Sequence, residues 1–174
     1  MNIAIVGATG NVGRKLIEVL EKKNFSVSES FLLASSKSSG KKINFLGKEQ
    51  TVEDLEKFDF SKVKIAFFAA GSAVAEKWAP IAANKTIVID NSKFFRKDSD
   101  IPLIVPEVNS KDLSKFKNKN IIANANCSVI PIVVALKPLH DLYNVKRIVV
   151  STYQSVSGAG KAGMDELLSQ TKEI

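Results

Sequence analysis

Apolar residues fall into short continuous runs separated by longer stretches in which apolar positions recur every three or four residues. The runs are short and apolar enough to be strands buried on both faces, and they lie at residues 2–6, 31–35, 64–70, 86–89 and 121–123. The stretches up to Lys23 and over Ser72–Asn84 have the spacing of helices, with Trp78 and Ile81 as core candidates in the second. Strands that alternate with helices predict a parallel sheet covered by helices.

Two segments ahead of residue 126 depart from this alternation. Residues 42–46 and 49–52 flank Gly47 and predict a β-hairpin. Residues 101–108 contain two prolines, which cannot donate to a strand ladder. We therefore expect this segment to be an edge strand or a passage between domains.

The part of the chain after residue 125 begins with a long apolar run. Residues 129–139 are too continuously apolar for a half-exposed strand and predict a buried helix. Pro131 is tolerated only in a first turn, so this helix is predicted to begin close to Ser128. Lys146–Tyr153 has the pattern of a strand, and a last helix is predicted over residues 161–174.

The only cysteine, Cys127, lies directly ahead of the long apolar run. Unpaired backbone N–H groups and the helix dipole favour negative charge at a helix N-terminus. A thiol there loses its proton more readily and is a candidate nucleophile. The alternative is a small apolar filler, because free cysteines are among the most buried residues. A single cysteine cannot form an internal disulfide, which favours a reducing cytoplasm.

The first strand runs directly into a glycine-rich turn, Gly7-Ala8-Thr9-Gly10-Asn11-Val12-Gly13, and a helix follows. In a dinucleotide-binding turn, Gly7 would permit the tight turn, Gly10 would let the backbone approach a diphosphate, and Gly13 would allow close helix–strand packing. The diphosphate would lie on the helix N-terminus. The spacing is G-x-x-G-x-x-G rather than the commoner G-x-G-x-x-G, and the alternative is an ordinary α/β loop.

A serine-rich loop follows the second strand and bears on the choice of cofactor. NAD-binding domains carry a carboxylate at the end of this strand, but Glu29 precedes the apolar run and is badly placed. The strand is followed instead by Ser35-Ser36-Lys37-Ser38-Ser39-Gly40-Lys41. Hydroxyl and ammonium groups suit a 2′-phosphate, so NADP is favoured over NAD. The alternative is a flexible loop, because lysine is a less specific phosphate reader than arginine.

Polar residues also follow the later strands. Asp90-Asn91-Ser92 lies at a strand end, where ligands of parallel sheets gather. Arg96 could bind a phosphate or carboxylate through its forked guanidinium, although surface arginines are common. Gln154–Gly160 is a second loop of small residues after the predicted strand at Lys146–Tyr153.

Composition narrows the possible partners. The 174 residues allow one domain with a sizeable core, or one domain and part of another. The net charge is +7, but the lysines are scattered without interleaved aromatic residues, so we expect no nucleic-acid partner. A basic balance also suits polyanionic small molecules such as a dinucleotide phosphate. No apolar run approaches a membrane span and no signal peptide precedes the first strand, so we expect no membrane partner.

Six motifs occur in an order that matches one family: Gly7–Gly13, the serine-rich loop to Lys41, Asp90–Arg96, Val105-Pro106-Glu107-Val108-Asn109, Asn126-Cys127-Ser128 and Ser151–Gly160. Over essentially its whole length the chain resembles the N-terminal half of a bacterial aspartate-semialdehyde dehydrogenase. The resemblance implies an α/β, Rossmann-like parallel sheet flanked by helices as the NADP-binding domain in residues 1–125. It also implies that residues 126–174 open an α+β catalytic and dimerisation domain, and that the full-length enzyme is a cytoplasmic homodimer.

The implied reaction is NADPH-dependent reductive dephosphorylation of L-aspartyl 4-phosphate to L-aspartate 4-semialdehyde, with release of phosphate. It feeds the biosynthesis of lysine, threonine, methionine, isoleucine and diaminopimelate. By similarity, Cys127 forms the acyl-thioester, Gln154 positions the substrate, and Asn91 and Arg96 bind the phosphate. No metal is implied, and the residues expected to bind NADP are Gly7, Thr9, Gly10, Asn11, Val12, Lys37, Ser38, Ser157, Gly158 and Gly160.

The chain departs from the family in length. Family members are roughly double its length and carry a general-base histidine and a second arginine, which holds the substrate carboxylate, in the half that is missing here. His140 is the only histidine, and its helical position does not match that base, so we predict a structural or surface residue. The chain is therefore expected to be a fragment of the enzyme and to be inactive, or nearly so, by itself.

Three other functions stay open. N-acetylglutamyl-phosphate reductase shares the fold and the thioester chemistry, although Asn126-Cys127-Ser128 and the Ser-Lys-Ser loop favour the aspartate enzyme. A short-chain-dehydrogenase-like NADP sensor also opens on Gly7-Ala8-Thr9-Gly10, but neither tyrosine has a lysine four residues later. The third is a non-catalytic fragment that binds NADP or a partner subunit.

Overall fold

A seven-stranded sheet forms the centre of the molecule, and the computed structural model describes residues 1–173. Its strands are β1 (Asn2–Val6), β2 (Glu29–Ala34), β5 (Glu53–Asp54), β6 (Ile65–Phe68), β7 (Ile87–Asp90), β8 (Leu103–Ile104) and β9 (Ile121–Asn124). Their order is β5-β2-β1-β6-β7-β9-β8, and every pair is parallel. The hairpin is confirmed as β3 (Lys42–Phe45) and β4 (Lys48–Thr51). This is the predicted Rossmann-like α/β fold.

Two helices, α1 and α2, cover the two faces of the sheet, and α4 and α5 come after its last strand in the sequence. They are α1 (Asn11–Lys22), α2 (Ser72–Ala83), α3 (Pro106–Asn109), α4 (Val129–Tyr143) and α5 (Gly160–Lys172). Within residues 1–173, none is long and apolar enough to cross a membrane.

The strands alternate their side chains between two hydrophobic cores, as the pleat of a strand requires. One core joins Ile3 and Ile5 of β1 to α1 and to Phe45 of the hairpin. The other joins Ala4 and Val6 of β1 to the alanine-rich face of α2. Small residues on α2 let the helix lie close to the sheet, and both faces of β1 are fully buried from Ile3 to Val6.

Two predictions ahead of residue 126 need correction, and one strand was not predicted. Ile81 is 49% exposed because the buried face of α2 is formed by its alanines, while Trp78 is half-buried against the core. The segment at residues 101–108 is an edge strand only at Leu103–Ile104, and Pro106 then starts α3. The polar strand β5 was not predicted, because only its pairing with Leu33 and Ala34 makes it a strand.

The part of the chain after residue 125 forms its predicted helices but not the strand predicted at Lys146–Tyr153. α4 begins after Ser128 with Pro131 in its first turn, as predicted, but none of its residues is buried. Residues 146–153 make no strand pairing within the described chain, and Val149 is 80% exposed. A helix satisfies its own backbone hydrogen bonds, whereas a strand needs a partner. α5 ends at Lys172, before the predicted end of the helix at Ile174, which lies outside the described residues.

The glycine-rich turn is packed too closely for side chains at two of its three glycines. Gly7 has φ +86°, and a Cβ there would lie 2.8 Å from the carbonyl carbon and oxygen of Ala69. A Cβ on Gly13 would lie 2.2 Å from the carbonyl oxygen of Gly7. Gly10 has φ −81°, and a Cβ there would meet nothing closer than the carbonyl oxygen of Gly7 at 3.4 Å. The turn therefore needs glycine at Gly7 and Gly13 for steric reasons, before any ligand is considered.

Gly13→Ala should lower the free energy of unfolding by about 1–3 kcal/mol, the usual effect of forcing atoms into a close-packed site. The new Cβ would meet a backbone carbonyl that two strands hold in place. Gly10→Ala is the matched control in the same turn, since its Cβ would make only ordinary contact. Urea denaturation followed by circular dichroism measures both variants. Equal stability of the two would show that α1 can move away from the turn.

Candidate functional site

The predicted site residues gather at one edge of the sheet, where the parallel strands end. The glycine-rich turn follows β1, the serine-rich loop follows β2, Asn91 follows β7, and Cys127 comes shortly after β9. The strands lie in the order β2-β1-β6-β7-β9, so β1 and β9 are three strand spacings apart, or about 14 Å. The order in which the strands are added to the sheet reverses between β1 and β6, and sheets of this kind bind ligands at that position.

Backbone N–H groups are available at the start of α1. Gly7 N and Ala8 N donate to the carbonyl oxygen of Leu33 at 2.8 and 3.2 Å, and this fixes the turn on the end of β2. The N–H groups of Asn11, Val12 and Gly13 have no acceptor within residues 1–173, and no side chain caps the helix. Free donors and the positive end of the helix dipole fit a diphosphate.

The serine-rich loop forms a single short turn beside the glycine-rich turn. Ser36–Ser38 is a 3₁₀ helix, and the N–H groups of Ser38 and Ser39 both donate to Ser35 O, at 2.8 and 3.0 Å. Lys37 is exposed and forms no ion pair with any described residue. Glu29 begins β2 and therefore lies at the amino ends of the strands, opposite to the glycine-rich turn, as its position in the sequence indicates. The groups beside the turn are thus hydroxyls and an ammonium.

Asn91 and Arg96 come together through hydrogen bonds to the backbone and to Asn124. Arg96 Nε donates to Asn124 O at 2.9 Å, and Arg96 Nη2 donates to Asn91 O at 3.2 Å. Asn124 Nδ2 donates to Asn91 Oδ1 at 2.6 Å. A guanidinium has five N–H donors, so most of those on half-buried Arg96 remain for a ligand. Sequence reasoning missed Asn124, because only the pairing of β7 with β9 brings it to Asn91.

Asp90 anchors the loop that carries these residues. Its fully buried carboxylate accepts from Ser92 N at 3.0 Å and from Ser92 Oγ at 2.6 Å, and Ser92 Oγ in turn accepts from Phe94 N. Burial raises the pKa of Asp90, while the bonds from Ser92 and the charge of Arg96 oppose that rise. An Asp followed two residues later by Ser is a typical turn signal that would have indicated this arrangement.

Cys127 is exposed within residues 1–173, and this does not support its interpretation as apolar filler. Gln154 Nε2 donates a hydrogen bond to Cys127 Sγ at 3.1 Å, which brings together the two predicted catalytic residues. The N–H groups expected to be free at the start of α4 are partly occupied. Asn126 O accepts from Val129 N and Ile130 N, both at 3.0 Å. Gln154 is therefore the described donor to Cys127 Sγ, and the N–H groups of Val129 and Ile130 are engaged by Asn126 O instead.

The predicted cofactor residues divide into two groups along the edge. Ser157, Gly158 and Gly160 lie in the turn that leads into α5, and a Cβ on Gly158 would lie 3.5 Å from Gln154 Nε2. This group therefore lies beside Cys127, while the glycine-rich turn and Lys37 lie at the other end of the row of strand ends. His140 is exposed on α4, in agreement with its interpretation as a surface residue.

Fold and site together define a dinucleotide-binding α/β protein with a cysteine at the edge of its sheet. A family model described as semialdehyde dehydrogenase, NAD binding domain, matches residues 2–116. A second model, described as semialdehyde dehydrogenase, dimerisation domain, matches residues 136–174. The chain therefore belongs to the semialdehyde dehydrogenase family.

Relatives and solved structures agree with this assignment. The chain is 56% identical over 174 residues to aspartate-semialdehyde dehydrogenase 2 of Vibrio cholerae, covering 99% of this chain and 52% of that protein. It superposes with a TM-score of 0.95 on aspartate semialdehyde dehydrogenase II from Vibrio cholerae complexed with ASA, at 56% identity, over 98% of this chain and 51% of that one. For the Candida albicans enzyme with NADP the TM-score is 0.63 at 28% identity, over 83% and 48%. The chain spans about half the length of the curated relatives it matches.

Cys127 should be alkylated by iodoacetamide at about pH 7 faster than a model thiol, since it is exposed at a helix N-terminus and its sulfur accepts a hydrogen bond from Gln154. Gln154→Ala should slow the reaction, because it removes the donor to Sγ. Mass spectrometry follows a single site, since the chain has one cysteine. The same chain in denaturant supplies the matched reference thiol. Equal rates in the folded and denatured chains would mean that the fold does not activate Cys127.

The buried carboxyl of Asp90 should give stability a measurable pH dependence. Because its pKa is raised above 3.8, its contribution to stability is complete below that pH and is lost as the pH rises through its folded-state pKa. The free energy of unfolding of the wild type minus that of Asp90→Asn should therefore fall as the pH rises above about 3.8. Carboxyl groups with lowered pKa values, such as Glu18, are common to both proteins and cancel. A difference that rises with pH would show that Ser92 and Arg96 outweigh burial.

Proposed function

We propose that the chain carries the cofactor domain and the nucleophile of an NADPH-dependent aspartate-semialdehyde dehydrogenase. The reaction is the reductive dephosphorylation of L-aspartyl 4-phosphate to L-aspartate 4-semialdehyde, in the biosynthesis of lysine, threonine, methionine, isoleucine and diaminopimelate. The observation that carries the proposal is the hydrogen bond from Gln154 to Cys127, at the edge of the sheet where α1 offers free N–H groups. Relatives named aspartate-semialdehyde dehydrogenase, at 56% and 54% identity, favour an aspartyl over an N-acetylglutamyl substrate.

In the first step, the thiolate of Cys127 attacks the acyl carbon of aspartyl phosphate. The bond from that carbon to the phosphate oxygen breaks, phosphate leaves with the electron pair, and an acyl-thioester remains on Sγ. Arg96 and Asn91 hold the departing phosphate, because Arg96 keeps N–H donors free after its bonds to Asn124 and Asn91. Gln154 orients the acyl group at Sγ.

The second step releases the aldehyde and restores the cysteine. NADPH, when bound, supplies the hydride that reduces the thioester carbon. The carbon–sulfur bond then breaks, the aldehyde leaves, and Cys127 takes the electron pair back as a thiolate. Two such steps replace one difficult displacement of phosphate by hydride.

The cofactor would lie along the sheet edge between the two groups of predicted residues. The diphosphate would bind the N–H groups from Asn11 to Gly13, with Gly7, Thr9 and Gly10 forming the turn. Lys37 and Ser38 would bind the 2′-phosphate, which favours NADP over NAD. Ser157, Gly158 and Gly160 would bind the nicotinamide end, beside Gln154 and Cys127.

The second domain is proposed to begin at residue 126, after a first domain of residues 1–125. The resemblance places the general-base histidine and the carboxylate-binding arginine outside these residues, so we propose that the chain alone is inactive. Large apolar side chains on α4 and α5, such as Leu142 and Leu168, are more than half exposed. We propose that a homodimer of the longer enzyme covers them, which agrees with the dimerisation-domain match at 136–174.

A fluorescence titration with NADPH, and in parallel with NADH, tests the cofactor half of this proposal. We expect saturable binding of NADPH with clear preference over NADH. Lys37→Ala should weaken NADPH binding by about tenfold, because one ionic hydrogen bond to the 2′-phosphate is lost, and should leave NADH binding unchanged. Lys48→Ala is the matched control, since it removes the same charge from an exposed lysine at the hairpin turn, where Leu46 N donates to Glu21 near the end of α1.

Two results would contradict the proposal. Equal affinity for NADPH and NADH would show that Lys37 and Ser38 do not bind a 2′-phosphate. Failure of both dinucleotides to bind a chain that circular dichroism shows to be folded would remove the dinucleotide site itself.

A further inference from the structure

Arg14 contacts the glycine-rich turn through both its backbone and its side chain. Its N–H donates to Gly10 O at 2.9 Å, and its Nε donates to Thr9 O at 3.2 Å. The side chain is exposed and forms no ion pair within residues 1–173. One residue of α1 therefore holds both carbonyl groups that immediately precede the helix.

The peptide unit between Thr9 and Gly10 is held at both ends. Its carbonyl oxygen accepts from Arg14 Nε, and its N–H donates to Gly7 O at 3.0 Å. A trans peptide is planar, with the carbonyl and the N–H pointing in opposite directions. Two hydrogen bonds on opposite sides therefore fix the rotation of the whole unit. Without Arg14, only the bond from Gly10 N to Gly7 O would resist rotation.

The orientation of these carbonyls decides what charge the start of α1 presents. A carbonyl oxygen carries partial negative charge and would repel a diphosphate if it faced the helix N-terminus. The carbonyls of Thr9 and Gly10 are both engaged by Arg14 instead. The N–H groups of Asn11, Val12 and Gly13 are thus left unopposed, and the guanidinium adds a positive charge at Thr9, in the turn that precedes them.

We propose that Arg14 is a positioning residue for the diphosphate of a bound dinucleotide, an inference that rests on the proposed cofactor function. It acts by holding the peptide unit between Thr9 and Gly10 so that donors, and not acceptors, face the anion. Lysine does not replace it, because an ammonium on a flexible stem lacks the planar Nε donor that reaches Thr9 O.

The test compares two ligands, of which only NADPH contains the diphosphate. Adenosine 2′-monophosphate keeps the adenosine and the 2′-phosphate but lacks both the diphosphate and the nicotinamide riboside. Arg14→Ala should weaken NADPH binding by about tenfold and leave binding of adenosine 2′-monophosphate unchanged. Arg14→Lys keeps the charge but loses the planar donor, so NADPH binding should remain weakened. Isothermal titration calorimetry of the 174-residue chain measures both dissociation constants.

Lys15→Ala is the matched control, because it removes the same charge one residue further along α1, where Lys15 pairs with Glu18. Equal NADPH affinity of Arg14→Ala and Lys15→Ala would overturn the inference. Wild-type affinity in Arg14→Lys would show that charge alone matters, and equal weakening of both ligands would show a merely structural role. A wild-type chain that binds neither ligand would instead overturn the proposed cofactor function, and the inference with it.

Discussion

The close contact between the start of α1 and the carbonyl oxygen of Gly7 is the constraint on which the site depends. A Cβ on Gly13 would lie 2.2 Å from that oxygen, so the helix begins directly against the end of β1. The same turn is bonded to the end of β2 through Leu33 O and packs against Ala69 beyond β6. Three strand ends therefore fix the position of one helix N-terminus. Its free N–H groups are held in place by the fold and do not depend on a ligand to order them.

The sheet order explains why residues far apart in the chain form one cluster. β7 pairs with β9, with Asp90 opposite Ala123, and this places Asn124 beside Asn91. Arg96 bonds to both segments, and its charge lies close enough to lower the pKa of buried Asp90 against the effect of burial. The proposed phosphate clamp is therefore part of the backbone framework of two strands. A guanidinium held this way loses little freedom when a ligand binds.

Sequence reasoning succeeded where both partners of an interaction lie in this chain and the pattern is local. The strand–turn–helix at Gly7–Gly13, the hairpin around Gly47 and the start of α4 near Ser128 follow from turn chemistry and from the limits on proline. It failed where burial or pairing depends on another segment. The apolar run of α4 forms a helix without being buried, and residues 146–153 have strand composition but no partner strand among residues 1–173. Asn124 and β5 carry no local signal, since only the sheet order gives them their contacts.

The segment that carries Cys127 differs from the glycine-rich turn in the contacts that hold it in place. No residue from Asn126 to Glu173 is buried, and the hydrogen bond between Gln154 and Cys127 is exposed. A single such bond contributes about 0.5–1.5 kcal/mol, whereas ordering one residue costs about 1–2 kcal/mol. That bond therefore cannot by itself order the extended segment from α4 to Gln154. Packing must supply the difference, and we propose that it comes from the half of the relatives that this chain does not span. On this proposal, the diphosphate end of the cofactor needs only the preformed turn at the start of α1, whereas the nicotinamide end and the thioester chemistry need the covered surface as well.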